Sequence, residues 1–267
     1  MWSQAFGQAL DVVFPRSCAG CGAGSWPFCG SCAAALVALE PPWCRRCGRP
    51  AKRDVPSCPD CPPVSIRAAR SAFLFGGPAR RAIHRLKFSG WRSVADALAA
   101  AVEATGPPPA DVVTWVPLAR SRLASRGFDQ SRAIASALAR RVDLPAVPLI
   151  RRSADTAPQA RRSGADRRLA LAGAFRHSGR PVPPRVLLVD DVLTTGATAD
   201  ACARVLQRAG AREVNVATAA RAFSGPLRLP LRAIASLPEP SSRAIASLPE
   251  PLSRAIASLP EPWLYSL

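Results

Sequence analysis

Four Cys-x-x-Cys pairs lie within the first 61 residues of this 267-residue chain, and they constrain its fold more than any other feature. They are Cys18/Cys21, Cys29/Cys32, Cys44/Cys47 and Cys58/Cys61. Each pair forms a tight turn that directs two thiolates at one metal ion, and two pairs complete a tetrahedral four-cysteine site. A redox motif would not recur four times in so short a stretch. The sequence therefore predicts two zinc ions.

The order of the pairs favours two sequential sites, one formed by the first two pairs and one by the last two. An interleaved arrangement is the alternative that the spacing leaves open. A closed four-cysteine site has no free coordination position, so both ions are predicted to be structural. The ninth cysteine, Cys202, falls inside a predicted helix and is expected to be a small buried apolar residue.

Composition divides the chain into three segments. Residues 1–66 are rich in Cys, Gly and Pro and form the predicted double zinc ribbon domain. Residues 67–226 alternate apolar, strand-like runs with Ala-rich helical runs, which predicts an α/β domain. Residues 227–267 repeat the sequence Arg-Ala-Ile-Ala-Ser-Leu-Pro-Glu-Pro three times. Two prolines per repeat exclude a continuous helix, so this tail is predicted to be poorly ordered.

The apolar periodicity of the middle segment predicts individual elements. Strands are predicted at Ala69–Phe75, Val112–Val116, Val147–Leu149, Val186–Val189 and Val214–Thr218. Helices are predicted at Ala79–Lys87, Ser93–Thr105, Gln130–Arg141 and Thr198–Ala209. The Arg-rich segment Arg151–Phe175 has few apolar residues, and we expect a loop or flap over a site.

The charge of the chain is strongly positive, at a formal +18. The excess belongs to residues 67–226, which carry 26 basic and 11 acidic side chains. Such a field attracts phosphorylated ligands or nucleic acid without distinguishing them. Since no apolar run approaches 18 residues and the first residues lack a basic leader and a cleavage site, we expect no membrane span and a cytoplasmic protein.

The most informative stretch runs from Val186 to Thr198. It reads as a buried strand ending in Asp190 and Asp191, then a loop rich in hydroxyl groups, then a helix. Backbone N–H groups at such a helix N-terminus bind anions, and Gly196 lets the backbone come close to them. The adjacent carboxylates could accept hydrogen bonds from sugar hydroxyls or hold a divalent cation. Neither GxxxxGK[ST] nor a strand-to-helix GxGxxG occurs, which disfavours kinases and dinucleotide-dependent oxidoreductases.

This stretch resembles the phosphoribosyl-pyrophosphate (PRPP) signature of type I phosphoribosyltransferases. The resemblance implies a parallel sheet flanked by helices, with PRPP bound together with Mg²⁺. It assigns Asp190 and Asp191 to the ribose hydroxyls. It also implies a phosphate loop formed by Thr194, Thr195, Gly196, Ala197 and Thr198.

Residues 1–223 as a whole resemble the ComF family, competence-associated proteins with an N-terminal zinc ribbon. The resemblance rests on the cysteine module, His84-Arg-Leu-Lys87-Phe88, Val116-Pro117-Leu118, Arg126-Gly-Phe-Asp-Gln130, Thr156-Ala-Pro-Gln159, and Arg167 followed by Gly173-Ala-Phe175. It implies that Pro117 and Leu118 belong to a pyrophosphate-binding loop, and that Lys87 and Arg126 neutralise the pyrophosphate. The chain departs from the family at Asp129 and Ala170, where Asn is usual.

Two functions follow as hypotheses, and they can coexist. The first is a Mg²⁺-dependent phosphoribosyltransferase acting on an unidentified acceptor. The second is an accessory protein that binds single-stranded DNA during DNA uptake, alongside competence proteins, with the PRPP site as a sensor or a vestige. Twelve Arg against four acidic residues between Arg120 and Arg168 favour DNA binding. Phe128 is the single aromatic residue there, whereas stacking platforms need several.

Overall fold

The computed structural model describes residues 17–59, 61–91, 93–153 and 173–223. The predictions for the centre of the Arg-rich flap and for the repeated tail lie outside the described residues.

The described part of the chain contains six strands and six helices. The strands are β1 (Ala68–Leu74), β2 (Val112–Trp115), β3 (Ile150–Arg152), β4 (Phe175–His177), β5 (Arg185–Leu193) and β6 (Glu213–Arg221). The helices are α1 (Gly30–Ala34), α2 (Gly77–Phe88), α3 (Val94–Ala104), α4 (Arg120–Arg126), α5 (Gln130–Arg141) and α6 (Ala197–Arg208).

Four strands form one parallel sheet in the order β1-β6-β5-β2. Helices cover both faces of the sheet. Successive side chains of a strand point to opposite faces, so each strand contributes to the packing on both sides. In β5, Leu187 and Val189 pack with α2, α3 and α5, whereas Val186 and Leu188 pack with α6. The predicted parallel sheet with flanking helices is confirmed. Cys202 of α6 is fully buried in the second cluster.

Two predicted strands need correction. The strand expected at Val147–Leu149 begins instead at Ile150 and pairs antiparallel with β4, while Ala146 forms a single parallel bridge with Val113 of β2. The strand expected to end at Val189 continues to Leu193, paired with β6. In both cases the sequence pattern followed apolar residues, whereas backbone pairing extends through charged ones.

The cysteine-rich segment attaches to β1, the edge strand of the sheet. Ala38 forms an antiparallel bridge with Phe73, and the Ala69 amide donates to the Arg46 carbonyl at 2.8 Å. These bonds cover an otherwise open sheet edge. Among the described residues, no helix is long and apolar enough to span a bilayer.

Candidate functional site

Asp190 and Asp191 lie beyond the last residue of β2. β2 ends at Trp115, which pairs with Val189, so the following residues of β5 have only β6 as a neighbour. β5 thus continues past the end of β2 at the carboxyl edge of the sheet, where α/β proteins commonly bind ligands. The two carboxylates therefore stand within the strand, and not at its end as the sequence indicated.

The two carboxylates have different partners. Asp190 Oδ1 accepts hydrogen bonds from Ser131 Oγ at 2.8 Å and from the Asp191 amide at 2.9 Å. Asp191 Oδ2 lies 2.5 Å from Lys87 Nζ, and its side chain is 8% exposed. Burial, together with the charge of Asp191, raises the pKa of Asp190 to about 7. Asp191 thus has a cationic partner at contact distance, whereas burial and the charge of its neighbour favour the protonated form of Asp190.

The segment after β5 has the geometry expected of an anion-binding loop. Gly196 caps α6 with a φ of 80°, a left-handed conformation that favours glycine. Thr194 and Thr195 are exposed. The Thr195 hydroxyl accepts a hydrogen bond of 3.4 Å from the Ala197 amide. The first amides of a helix have no carbonyl partner within that helix, so the N-terminus of α6 can donate hydrogen bonds to an anion bound at this loop.

A cationic cavity of about 690 Å³ lies beside Lys87. Its lining includes Lys87, Phe88, Leu118, Arg122, Arg126 and Phe128. The structure thus brings together three residues that were assigned to pyrophosphate in the sequence: Lys87, Leu118 and Arg126. Arg126 Cζ lies 4.9 Å from the centre of the Phe88 ring, and its NH1 donates to Gln130 Oε1 at 2.5 Å.

Asp129 fixes the loop that contains Pro117 and Leu118. Its Oδ2 accepts from the Leu118 amide at 2.9 Å, and its Oδ1 caps α5 by accepting from the Arg132 amide at 3.1 Å. Both carboxylate oxygens are used, which gives a physical role to the residue that departs from the family pattern. Burial raises the pKa of Asp129.

The cysteines form two separate clusters in chain order. One contains Cys18, Cys21, Cys29 and Cys32, and the other contains Cys44, Cys47, Cys58 and Cys61, with sulfurs within 4.8 Å of one another in each. The Cys44–Cys61 and Cys47–Cys58 sulfur distances are both 3.5 Å. A tetrahedral zinc thiolate site with Zn–S near 2.3 Å has sulfurs about 3.8 Å apart. Both clusters therefore fit structural zinc, in the sequential arrangement.

Three features of the site escaped the sequence analysis. Ser131 binds Asp190, but it reads as an ordinary helix residue. α4 was missed because none of its residues is buried, so it lacks an apolar stripe. Phe88 is 68% exposed in the cationic cavity, although in sequence it follows an ordinary helical pattern. Only tertiary packing brings Phe88 next to Phe128 and Arg126.

Comparison with known proteins identifies both parts of the chain. Residues 9–62 match the double zinc ribbon domain family, and residues 129–229 match the phosphoribosyl transferase domain family. The fold and the site thus define a phosphoribosyltransferase-type domain that carries a double zinc ribbon.

Similar whole proteins identify the family more closely. The chain is 35% identical over 209 residues to the DNA utilization protein YhgH of Escherichia coli O6:H1, covering 72% of this chain and 89% of that protein. It is 35% identical over 116 residues to Competence protein F of Haemophilus influenzae, covering 42% and 51%. It is 30% identical over 99 residues to Competence protein ComFC of Streptococcus pneumoniae, covering 37% and 43%. The chain belongs to the ComF family.

Proposed function

We propose that this protein binds PRPP with Mg²⁺ and transfers its phosphoribosyl group to an acceptor. The observation that supports it most is the acidic pair on β5, which lies at the carboxyl edge of the sheet shortly before a loop and helix suited to a phosphate. Asp190 and Asp191 would accept hydrogen bonds from the two ribose hydroxyls. The loop Thr194–Thr198 would hold the 5-phosphate.

The cationic cavity suits the leaving group. Departure of pyrophosphate from C1 of ribose builds negative charge on the leaving oxygens, and fixed cations stabilise that charge. Lys87, Leu118 and Arg126 all line the cavity. Lys87 pairs with Asp191, and would turn toward pyrophosphate once the ribose hydroxyls engage Asp191.

The acidic pair on β5 also fits magnesium. Mg²⁺ prefers carboxylate and phosphate oxygens, and Asp190 and Asp191 supply carboxylates next to the proposed pyrophosphate position. When bound, Mg²⁺ would offset part of the pyrophosphate charge. Because Lys87 already pairs with Asp191, PRPP oxygens would supply most of the metal's ligands. Cysteines arranged as metal ligands are typical of proteins in reducing compartments, which supports a cytoplasmic location.

Calorimetry with PRPP, with and without Mg²⁺, tests the proposal. We expect wild-type protein to bind PRPP, and Asp191→Asn to weaken binding about 5- to 30-fold by replacing a charge-assisted hydrogen bond with a neutral one. Asp111→Asn is the matched control, because Asp111 pairs with Arg185 at the opposite end of the strands. Equal losses in both variants, or no binding by the wild type, would reject the proposal. Pyrophosphate release in a screen of acceptors would then establish transfer.

A second candidate function is binding of single-stranded DNA, and the exposed ring of Phe88 favours it. Phe88, Phe128, Arg122 and Arg126 line one cavity, which combines aromatic stacking surfaces with cations. The relatives' names, DNA utilization protein and Competence protein F, agree with such a role. The sequence alone had indicated too few aromatic residues.

Fluorescence anisotropy with labelled oligothymidylate tests DNA binding. Loss of one stacking partner is worth about 1–3 kcal/mol, so we expect Phe88→Ala to weaken binding at least fivefold. Leu123→Ala removes another exposed apolar side chain, 42% exposed on α4, and should change nothing. Identical affinities of the two variants would exclude the cavity as the DNA site.

A further inference from the structure

The segment that joins the second cysteine cluster to the sheet packs against the phosphate loop. We call residues 62–66, which follow Cys61 and precede β1, the linker. We propose that Pro62, Pro63 and Ser65 of this linker are positioning residues, which hold the phosphate loop and the first turn of α6 in their binding conformation. The proposal rests on the proposed function, since it concerns the loop that would bind the 5-phosphate.

The first contact between the linker and the phosphate loop is at Gly196. This glycine is buried, and a methyl group on it would lie 3.1 Å from Pro62 Cβ and 3.4 Å from Pro63 Cδ. Pro62 is itself buried. Two rigid pyrrolidine rings therefore form one wall of the loop at the residue where its backbone turns into α6. A glycine is required there both by its φ and by the linker that covers it.

The second contact holds the first turn of α6. Ser65 Oγ donates a hydrogen bond to Asp200 Oδ1, and both side chains are buried. The Asp200 amide donates in turn to the Gly196 carbonyl at 2.7 Å. Further along α6, Gln207 Nε2 donates to the Ser65 carbonyl at 3.1 Å. The linker is thus joined to α6 at two levels, one of them a single helical turn from the phosphate loop.

The second cysteine cluster holds the linker in place. Arg46, which lies between Cys44 and Cys47, donates from NH2 to the Pro63 carbonyl at 2.9 Å and to the Ile66 carbonyl at 3.3 Å. Arg221, at the end of β6, donates to the Cys47 carbonyl. A chain of direct contacts therefore runs from this cluster through the linker to Gly196.

The first cysteine cluster has no part in these contacts. It is held by α2, where Arg81 Nε donates to the Gly20 carbonyl and Arg85 NH1 to the Ala19 carbonyl, each at 2.7 Å. The two clusters thus support different parts of the site. If the linker holds the phosphate loop in its binding conformation, then loss of a linker contact must weaken binding of the 5-phosphate end of PRPP. Binding of the pyrophosphate end should be affected less.

The test measures ribose 5-phosphate and pyrophosphate separately by calorimetry. We expect Ser65→Ala, which removes a hydrogen bond, and Pro62→Ala, which removes a ring against Gly196, to bind ribose 5-phosphate about fivefold to tenfold more weakly. Both variants should bind pyrophosphate within about twofold of the wild-type affinity. Ser65→Thr keeps the hydroxyl and should restore binding. Val64→Ala is the control in the same linker, because Val64 is 86% exposed. Each variant should retain two zinc ions.

Hydrogen exchange provides a readout that needs no ligand. Amides of residues 194–200 should exchange faster in Ser65→Ala than in wild type, and those of α3 should not change. Unchanged exchange and unchanged ribose 5-phosphate affinity would overturn the inference and leave the proposed function standing. If wild-type protein bound no ribose 5-phosphate, the proposed function would be rejected. Faster exchange in Ser65→Ala would then show only that the linker holds the loop. Equal losses for both ligands would also overturn the inference.

Discussion

Asp190 combines a folding cost with its proposed binding role. Its carboxylate is partly buried and lies next to Asp191, which together raise its pKa to about 7. Two hydrogen-bond donors, Ser131 and the Asp191 amide, offset part of that cost. A residue that served only to stabilise the fold would gain by being neutral here. Retaining a carboxylate at this position is what a ligand-binding role requires.

Stability should therefore depend on pH at this residue. The folded pKa is raised above the unfolded value of about 3.9, so the folded state holds more protons between these two values. The free energy of unfolding should fall as pH rises toward 7 and then level off. Asp190→Asn should remove this dependence and melt at or above the wild-type temperature at pH 8, while its PRPP affinity falls about 5- to 30-fold. Melting curves at pH 5.5 and 8 and calorimetry provide the measurements.

The opposite result would give Asp190 a different role. If Asp190→Asn lowered the melting temperature at pH 8 and left PRPP affinity intact, the carboxylate would serve to cap the strand, and the phosphoribosyl proposal would lose its main support.

The Lys87–Asp191 pair makes a separate prediction. Its atoms are 2.5 Å apart, and the two side chains are 22% and 8% exposed. Lys87→Met leaves a buried carboxylate without its partner, so we expect a loss of about 2–4 kcal/mol in the free energy of unfolding. Adding Asp191→Asn should restore part of that loss. Urea unfolding of the four proteins of this double-mutant cycle measures the coupling, and strictly additive losses would contradict it.

At the scale of elements, apolar periodicity predicted the helices and strands that bury one face in the core. α5 has the predicted bounds, Gln130–Arg141, because its buried face repeats with a helical period. α4 is a helix of seven residues with none buried, so no pattern could reveal it. The end of β5 was misplaced because Asp190 and Asp191 interrupt the apolar run while their backbone still pairs with β6. The phosphate role of Thr194–Thr198 was inferred from local residue types and stays a prediction, whereas the linker contacts at Gly196 depend on residues over 130 positions away.

The two cysteine clusters allow an element-scale prediction about metal content. Wild-type protein should contain two zinc ions per chain. Because Cys18 and Cys29 lie in one cluster, Cys18→Ser/Cys29→Ser should lose a single ion, whereas Cys29→Ser/Cys58→Ser should lose both. Zinc analysis of purified protein distinguishes these outcomes. An interleaved arrangement would give the reverse for the first double variant, and the absence of zinc from wild type would reject the assignment.

At the scale of the whole molecule, the ribbon segment and the candidate site are parts of one structure. α2 contacts the first cysteine cluster through Arg81 and Arg85, and its last turn places Lys87 against Asp191. The linker connects the second cluster to Gly196. Each end of the proposed PRPP site is therefore next to a segment that contacts one of the cysteine clusters. Structural metal sites can in this way affect the geometry of a binding site without taking part in its chemistry.

The charge of the whole chain leads to a prediction that separates two contributions to DNA binding. Arg side chains that contact phosphates release counterions, so the logarithm of affinity falls linearly with the logarithm of salt concentration. Stacking on Phe88 releases none.

Replacing Arg161, Arg162, Arg167 and Arg168 by Gln should therefore make the slope less negative, by up to about 0.7 for each phosphate that is no longer neutralised. Phe88→Ala should lower affinity at every salt concentration and leave the slope unchanged. Anisotropy titrations with oligothymidylate between 50 and 200 mM salt, roughly the range over which such slopes are measured, provide the comparison. An unchanged slope in the quadruple variant would place the DNA-binding charges elsewhere, with the ribbon residues Arg45 and Arg49 as the next candidates, whereas a changed slope in Phe88→Ala would mean that this ring acts by positioning Arg126 and not by stacking on a base.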